Sequence, residues 1–132
     1  MSVDSIGDFL TIIRNGIMIS KPFVLAPYSK MRWQIAQILK DEGFITNAEV
    51  VNAEDPVQKK IKVFLKYVGN ESVIHEIKRV SKPGRRYYSG VEDIEPVIGG
   101  LGLSVLTTNR GIISHKKAKE FGVGGEIMFT VW

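Results

Sequence analysis

Cysteine is absent from the 132-residue chain, which excludes a disulfide framework, a thiolate metal site and a cysteine nucleophile together. Histidine is scarce. His75 and His115 lie far apart, have no ligand-type partner at i+4 and form no HExxH pattern, so both read as partly exposed polar side chains. No metal and no cofactor is expected. No apolar run approaches the roughly 18–20 residues that span a bilayer. The opening MSVDSIGDFLTIIRNG has two aspartates but neither a basic n-region nor a small-residue cleavage site. These absences lead us to expect a soluble, cytoplasmic protein that is not exported.

Catalytic patterns are missing too. G-x-S-x-G surrounds no serine, and the Walker lysine motif does not occur. Gly100-Leu101-Gly102 opens like a dinucleotide fingerprint, but the third glycine position is Val105 and a β-prone run follows where a helix is required. Tight turns at a strand entry explain these glycines better. Carboxylates gather at Asp41 and Glu42 and at Glu92, Asp93 and Glu95, beside helix ends or turns, where solvated surface is their ordinary role. No enzyme is expected.

What is present is a globular composition, 44% hydrophobic and 24% charged, in a length that suits one domain or two small lobes. The net charge of +4 and a pI near 9.4 favour anionic partners modestly. Residues 1–70 and 71–132 each hold nine Lys and Arg against seven acids, so the bias is local. Between Ile77 and Gly90 stand Lys78, Arg79, Lys82, Arg85 and Arg86 with no acid, interleaved with Tyr87 and Tyr88. Arg110, Lys116, Lys117 and Lys119 form a second acid-free group.

Ile6, Phe9, Leu10, Ile13 and Ile17 recur at helical spacing and predict an amphipathic helix that Asp4 or Ser5 caps and Ser20–Pro22 closes. A short extended piece, Phe23–Tyr28, follows. Ser29 is a suitable N-cap for a second helix with Met31, Ile35, Ile38 and Leu39 inward and Gly43 as its stop. The period then drops to two. A strand from Phe44 to Val51, a polar turn at Asn52–Gln58 and a strand at Ile61–Tyr67 make a hairpin. After Gly69 and Asn70 come β-prone runs at Val73–Val80, Arg86–Ser89, Leu103–Thr108 and Glu126–Val131, with one short helix at Ser114–Phe121 stopped by Gly122. The expected class is α+β: an N-terminal α/β lobe (helix, strand, helix, hairpin; residues 1–70) packed against a β-rich C-terminal lobe (residues 71–132).

Tyrosines that stack on unpaired bases, cations that neutralise phosphates and short polar side chains that reach base edges suit RNA. Lys78–Tyr88 and Thr107–Arg110 supply all three. A basic sheet face with two tyrosines is also an ordinary solvated surface. The residues alone leave both readings open.

The segments GGLGLSVLTTNRGIISHKKAKEFGVGGEIMFTVW, RVSKPGRRYY, SIGDFLTIIRNG and SKMRWQIAQILKDEGFI closely resemble, in order and along the whole chain, the bacterial-type small ribosomal subunit protein eight family. That resemblance implies direct binding to an irregular helix in the central domain of 16S ribosomal RNA, a role in subunit assembly, neighbouring ribosomal proteins as partners and, in some members, repression of their own operon's mRNA. It maps the RNA-contacting loop onto Thr107, Thr108, Asn109, Arg110 and Gly111, with Tyr88 and Glu126 beside it. The family loop commonly reads Ser-Thr-Ser where this chain has Thr107, Thr108 and Asn109; Asn109 carries donor and acceptor on a longer arm. Lys82, Arg85 and Arg86, and in the N-terminal lobe Arg14, Asn15, Lys30 and Arg32, are candidate backbone contacts. The alternatives are a sequence-independent nucleic-acid binder and a DNA-binding regulator. The second is disfavoured because Ser29–Glu42 offers few residues suited to a recognition helix.

Overall fold

Helical spacing of apolar residues builds α1 (Ser5–Met18) and α2 (Lys30–Asp41), and each end has a local cause. Ser20, at φ +55°, turns the chain out of α1 while its N–H and that of Lys21 donate back to Ile17 and Gly16. Ser29 caps α2 by accepting from the Arg32 N–H at 3.1 Å, and Gly43 at φ +81° follows its last turn. Between and after the helices run β1 (Phe23–Pro27), β2 (Ile45–Val51) and β3 (Lys60–Leu65), an antiparallel sheet of order β1-β3-β2. Its inward residues, among them Val24, Ala26, Ile61 and Val63, meet Phe9, Leu10, Ile13, Ile35 and Leu39 in the core. Gly16 lets α1 lie close on β1: a Cβ there would collide with the Val24 side chain.

The computed structural model describes residues 4–94 and 101–132, and its contacts fall into two units. One is Ser5–Ile74; the other is His75–Trp132 joined by Asp4. The division comes four residues later than the sequence boundary at 70/71, because the chain after β3 folds back on itself. A small hairpin, β4 (Tyr67–Val68) with β5 (Glu71–Ser72), turns through Gly69 and Asn70, and the Tyr67 hydroxyl donates to the Lys21 carbonyl at 2.7 Å. Burial pushes that phenol above its ordinary pKa. His75 and Glu76 then donate their N–H groups to the Trp132 carbonyl, the first bonds of the second unit.

The second unit is a sheet of order β6-β10-β8-β9, built from β6 (Ile77–Arg79), β8 (Leu103–Thr108), β9 (Gly111–Ser114) and β10 (Gly125–Val131). The two-residue strand β7 (Tyr88–Ser89) also pairs with β10. Helix α3 (His115–Phe121) is capped by Ser114 and stopped by Gly122 at φ +68°. Leu106, Ala118, Ile127 and Ile94 form a buried cluster beneath it. The fold is α+β, with helix, strand, helix and hairpin in the first unit as the pattern predicts.

Several details differ from the sequence reading. The run at Val73–Val80 is strand only over Ile77–Arg79, and that at Arg86–Ser89 only over Tyr88–Ser89. Strand β9 has no period-two signal because Gly111 opens it and its two isoleucines adjoin, yet pairing with β8 settles it. His115 is not partly exposed: it is 8% accessible, and its Nδ1 accepts the Ser104 N–H at 3.1 Å, so Nδ1 is the unprotonated nitrogen. His75 is exposed and lies against Trp132 with ring centroids 5.3 Å apart. Glu95 and the Gly99–Gly100 turn lie outside the described residues.

Arg32, read from sequence as a phosphate contact, is 9% exposed. Its Nε donates to the Ser5 carbonyl at 3.2 Å and its Nη1 to the Pro27 carbonyl at 3.0 Å. The guanidinium thus ties the start of α1 to the end of β1 and, so engaged, offers little surface to a phosphate. Replacing it removes both bonds, and we expect Arg32→Ala to lower stability by about 2–3 kcal/mol in urea unfolding.

Candidate nucleic-acid interface

The second unit gathers most of the predicted contact residues around one register row. In β10, Glu126 stands opposite Tyr88 of β7 on one side and Thr107 of β8 on the other. Directly opposed residues share a sheet face with Cβ atoms about 4.5–5.5 Å apart, so tyrosine, carboxylate and threonine make one polar row. A bulge puts Glu126 there. Phe129 pairs with Val105 and Ile127 with Leu106, so Met128 is the extra residue. Without it, Glu126 would fall on the opposite face from Phe129, the face that Leu106 and Ile127 share.

Gly124 and Gly125 allow the neighbouring strands to close on β10. A Cβ on Gly124 would sit 2.3 Å from the Ser89 carbonyl oxygen, and one on Gly125 2.2 Å from that of Thr107. A side chain at either position would push β7 or β8 away from the row.

Glu126 is held firmly. The buried Ser81 hydroxyl donates to its Oε2, and Arg86 Nη1 meets the same oxygen at 3.1 Å. Ser81 Oγ in turn accepts the Tyr87 N–H at 3.2 Å, while the Ser81 carbonyl accepts from Arg79 Nε. Arg79 forms a bidentate pair with Asp4, Nη1 lying 2.8 and 2.7 Å from its two carboxylate oxygens. This sequence of bonds runs Asp4, Arg79, Ser81, Glu126, Arg86. Ser81 was missed from sequence because a lone serine in a basic turn carries no pattern.

The β8–β9 turn stands at the end of the row. Thr108 Oγ1 donates to the Gly111 carbonyl at 2.9 Å and accepts the Arg110 N–H at 3.0 Å, so this hydroxyl shapes the turn. Gly111 has φ +95°, a conformation that suits glycine. Arg110 lays its guanidinium 4.8 Å from the Phe121 ring centroid. Asn109 is exposed at the tip, with no hydrogen bond from its amide among the described residues. Tyr88 is 69% exposed. Lys82 and Arg85 flank a tight turn closed by reciprocal backbone bonds of 3.0 and 2.9 Å, with both side chains in solvent. Arg14, Asn15 and Lys30 are exposed on the first unit and form no part of this row.

Among the described residues no three His, Cys, Asp or Glu side chains cluster as metal ligands, and no helix is long and apolar enough to cross a membrane. Tyr88, Glu126 and Thr107 thus make a polar row with Arg86 bonded to its carboxylate, a surface of the kind that binding modules present. The Ribosomal protein S8 family model matches residues 4–132. Small ribosomal subunit protein uS8 of Dictyoglomus thermophilum is 50% identical over 98% of this chain and 97% of that one. The proteins of that name from Solibacter usitatus and Lactococcus lactis are each 48% identical, over 100% and 98% of this chain and 100% and 97% of theirs. The chain belongs to the ribosomal protein S8 family and is a non-enzymatic structural constituent of the small subunit in the cytoplasmic ribosome.

Because Gly125 abuts the Thr107 backbone, Gly125→Ala should cost about 1–3 kcal/mol in thermal unfolding. Ser81→Ala should unfold at a temperature closer to that of the parent chain, since it removes one bond to a carboxylate that Arg86 still holds.

Proposed function

We propose that the second unit binds directly to an irregular helix in the central domain of 16S ribosomal RNA, and that by fixing this helix it helps to assemble the small subunit. The observation that carries this reading is the row Tyr88–Glu126–Thr107 beside an exposed Asn109. A regular A-form duplex hides its base edges in a deep, narrow groove, so a short polar loop has something to read only where the helix is opened or bulged. Tyr88 supplies a ring for an unpaired base, and the Asn109 amide supplies donor and acceptor to a base edge. Glu126 has one oxygen committed to Ser81 and Arg86. Its Oε1 accepts only, which suits a base amino group or a 2'-hydroxyl and repels phosphate.

Affinity comes from a different set. Lys82, Arg85, Arg86 and Arg110 neutralise phosphates around the row, and Arg14, Asn15 and Lys30 of the first unit contact backbone elsewhere on the RNA. These contacts are salt-dependent and insensitive to sequence. The lobes read from sequence as residues 1–70 and 71–132 thus divide the work, the second carrying the main RNA surface. Neighbouring small-subunit proteins then join a preorganised RNA. An mRNA of the protein's own operon that folds into the same irregular helix would be held by the same residues.

The test is binding to a short RNA helix with the irregular internal loop, beside a fully paired control, across several salt concentrations. Tyr88→Leu and Asn109→Ala are expected to lose about 1–3 kcal/mol on the irregular RNA and little on the control, whereas Lys82→Gln and Arg85→Gln weaken both and flatten the salt dependence. Equal losses on the two RNAs from Asn109→Ala would refute the assignment of that loop. An Asn109→Ala protein that lost the ribosomal helix but kept the operon mRNA would refute the shared site.

A further inference from the structure

The first unit has a surface that this reading does not use. Its helices cover one face of the β1-β3-β2 sheet, and the alternation of burial along β1, with Val24 and Ala26 inward and Phe23 and Leu25 36% and 46% exposed, leaves the other face open. Phe23 pairs in register with Phe64 of β3, their ring centroids 6.1 Å apart and tilted by 54°. Lys62 Nζ lies 4.1 Å from the centroid of Phe23 and 5.1 Å from that of Phe64.

We propose that this open face is a second RNA contact, one that takes unpaired bases on Phe23 and Phe64. It goes beyond the function proposed above, which gives the first unit backbone contacts alone, because it stacks bases on that unit's sheet and reads single-stranded RNA instead of an irregular helix. Two aromatic rings side by side on an uncovered sheet are a platform for successive bases, since every base presents a π-face. The charge fits a polyanion. By the alternation of β3, Lys60 and Lys62 share the face with Phe64, and Glu49, opposite Lys62 in β2, is the acid in that row. Chain-like phosphates satisfy two ammonium groups spaced two residues apart along β3, whereas a protein partner would have to bring a carboxylate to each. The lysine on the rings does not block the site. An exposed cation–π contact is weaker than a base stack, so a base displaces Lys62 from the ring and the freed ammonium meets the phosphate beside it.

The experiment uses the full chain and a fluorescent uridine octamer, which has no helix to read. Phe23→Leu and Phe64→Leu keep apolar bulk but remove the ring, and each is expected to weaken octamer binding roughly tenfold. Lys62→Gln, which alters no core residue, should weaken it less and lower its salt dependence. Cross-linking with a thiouridine-substituted octamer should label β1 or β3. Binding to the irregular helix should persist in all three variants, so that failure of one site is distinguishable from failure of the other. Octamer affinity unaffected by both ring variants, or cross-links confined to residues 75–132, overturns the proposal. Slowed amide exchange in β1 on adding small-subunit proteins without RNA, with no octamer binding there, would assign the face to a protein and overturn it equally.

Discussion

Backbone approach at Gly124 and Gly125 is the constraint on which the second unit's surface depends. Three neighbouring strands, β6, β7 and β8, bond to β10, and at its start two of them come within a distance that leaves no room for a Cβ. From that closeness follow the alignment of Tyr88, Glu126 and Thr107 and the position of Ser81 under the carboxylate. The Met128 bulge supplies the other requirement by moving Glu126 to the face that the row occupies. Glycine removes bulk and the bulge adds a residue, and together they let a partly buried carboxylate sit between a tyrosine and a threonine.

Holding that carboxylate has a physical cost that its partners offset. A charge withdrawn from water requires hydrogen bonds or counter-charge, and Glu126 has a hydroxyl and a guanidinium on one oxygen. Arg79, paired with Asp4, orients Ser81 through its carbonyl. The turn at Thr108 is likewise satisfied internally. The surface is therefore preformed, and binding need not order it, which limits the entropy lost on association.

Much of this was readable in the sequence, for reasons that differ by element. Both helices of the first unit, the β2–β3 hairpin and the α3 cap at Ser114 follow from local periodicity and capping chemistry, which act within a few residues. The bulge does not: strict alternation back from Val131 assigns Glu126 to the wrong face, and only pairing with β8 corrects it. Arg32 was misread because its charge was visible and the carbonyls of Ser5 and Pro27, 27 and 5 residues away, were not. Ser81 and buried His115 were hidden for the same reason, since their partners are distant in the chain. The row residues were named from resemblance; their sharing one face is a property of the fold.

The place of β10 in the chain has a consequence for synthesis. It is the last strand in sequence and lies inside its sheet, with β6 and β7 on one side and β8 on the other. A chain emerging from the ribosome can complete Ser5–Ile74 from local contacts early, but β6, β7 and β8 have no common partner until the final seven-residue strand arrives. Until then their edges are unpaired, which exposes a nascent chain to wrong pairing. The second unit's surface is thus assembled in one step, when β10 takes its place between β6 and β8, and a chain that stops short of β10 cannot present the row.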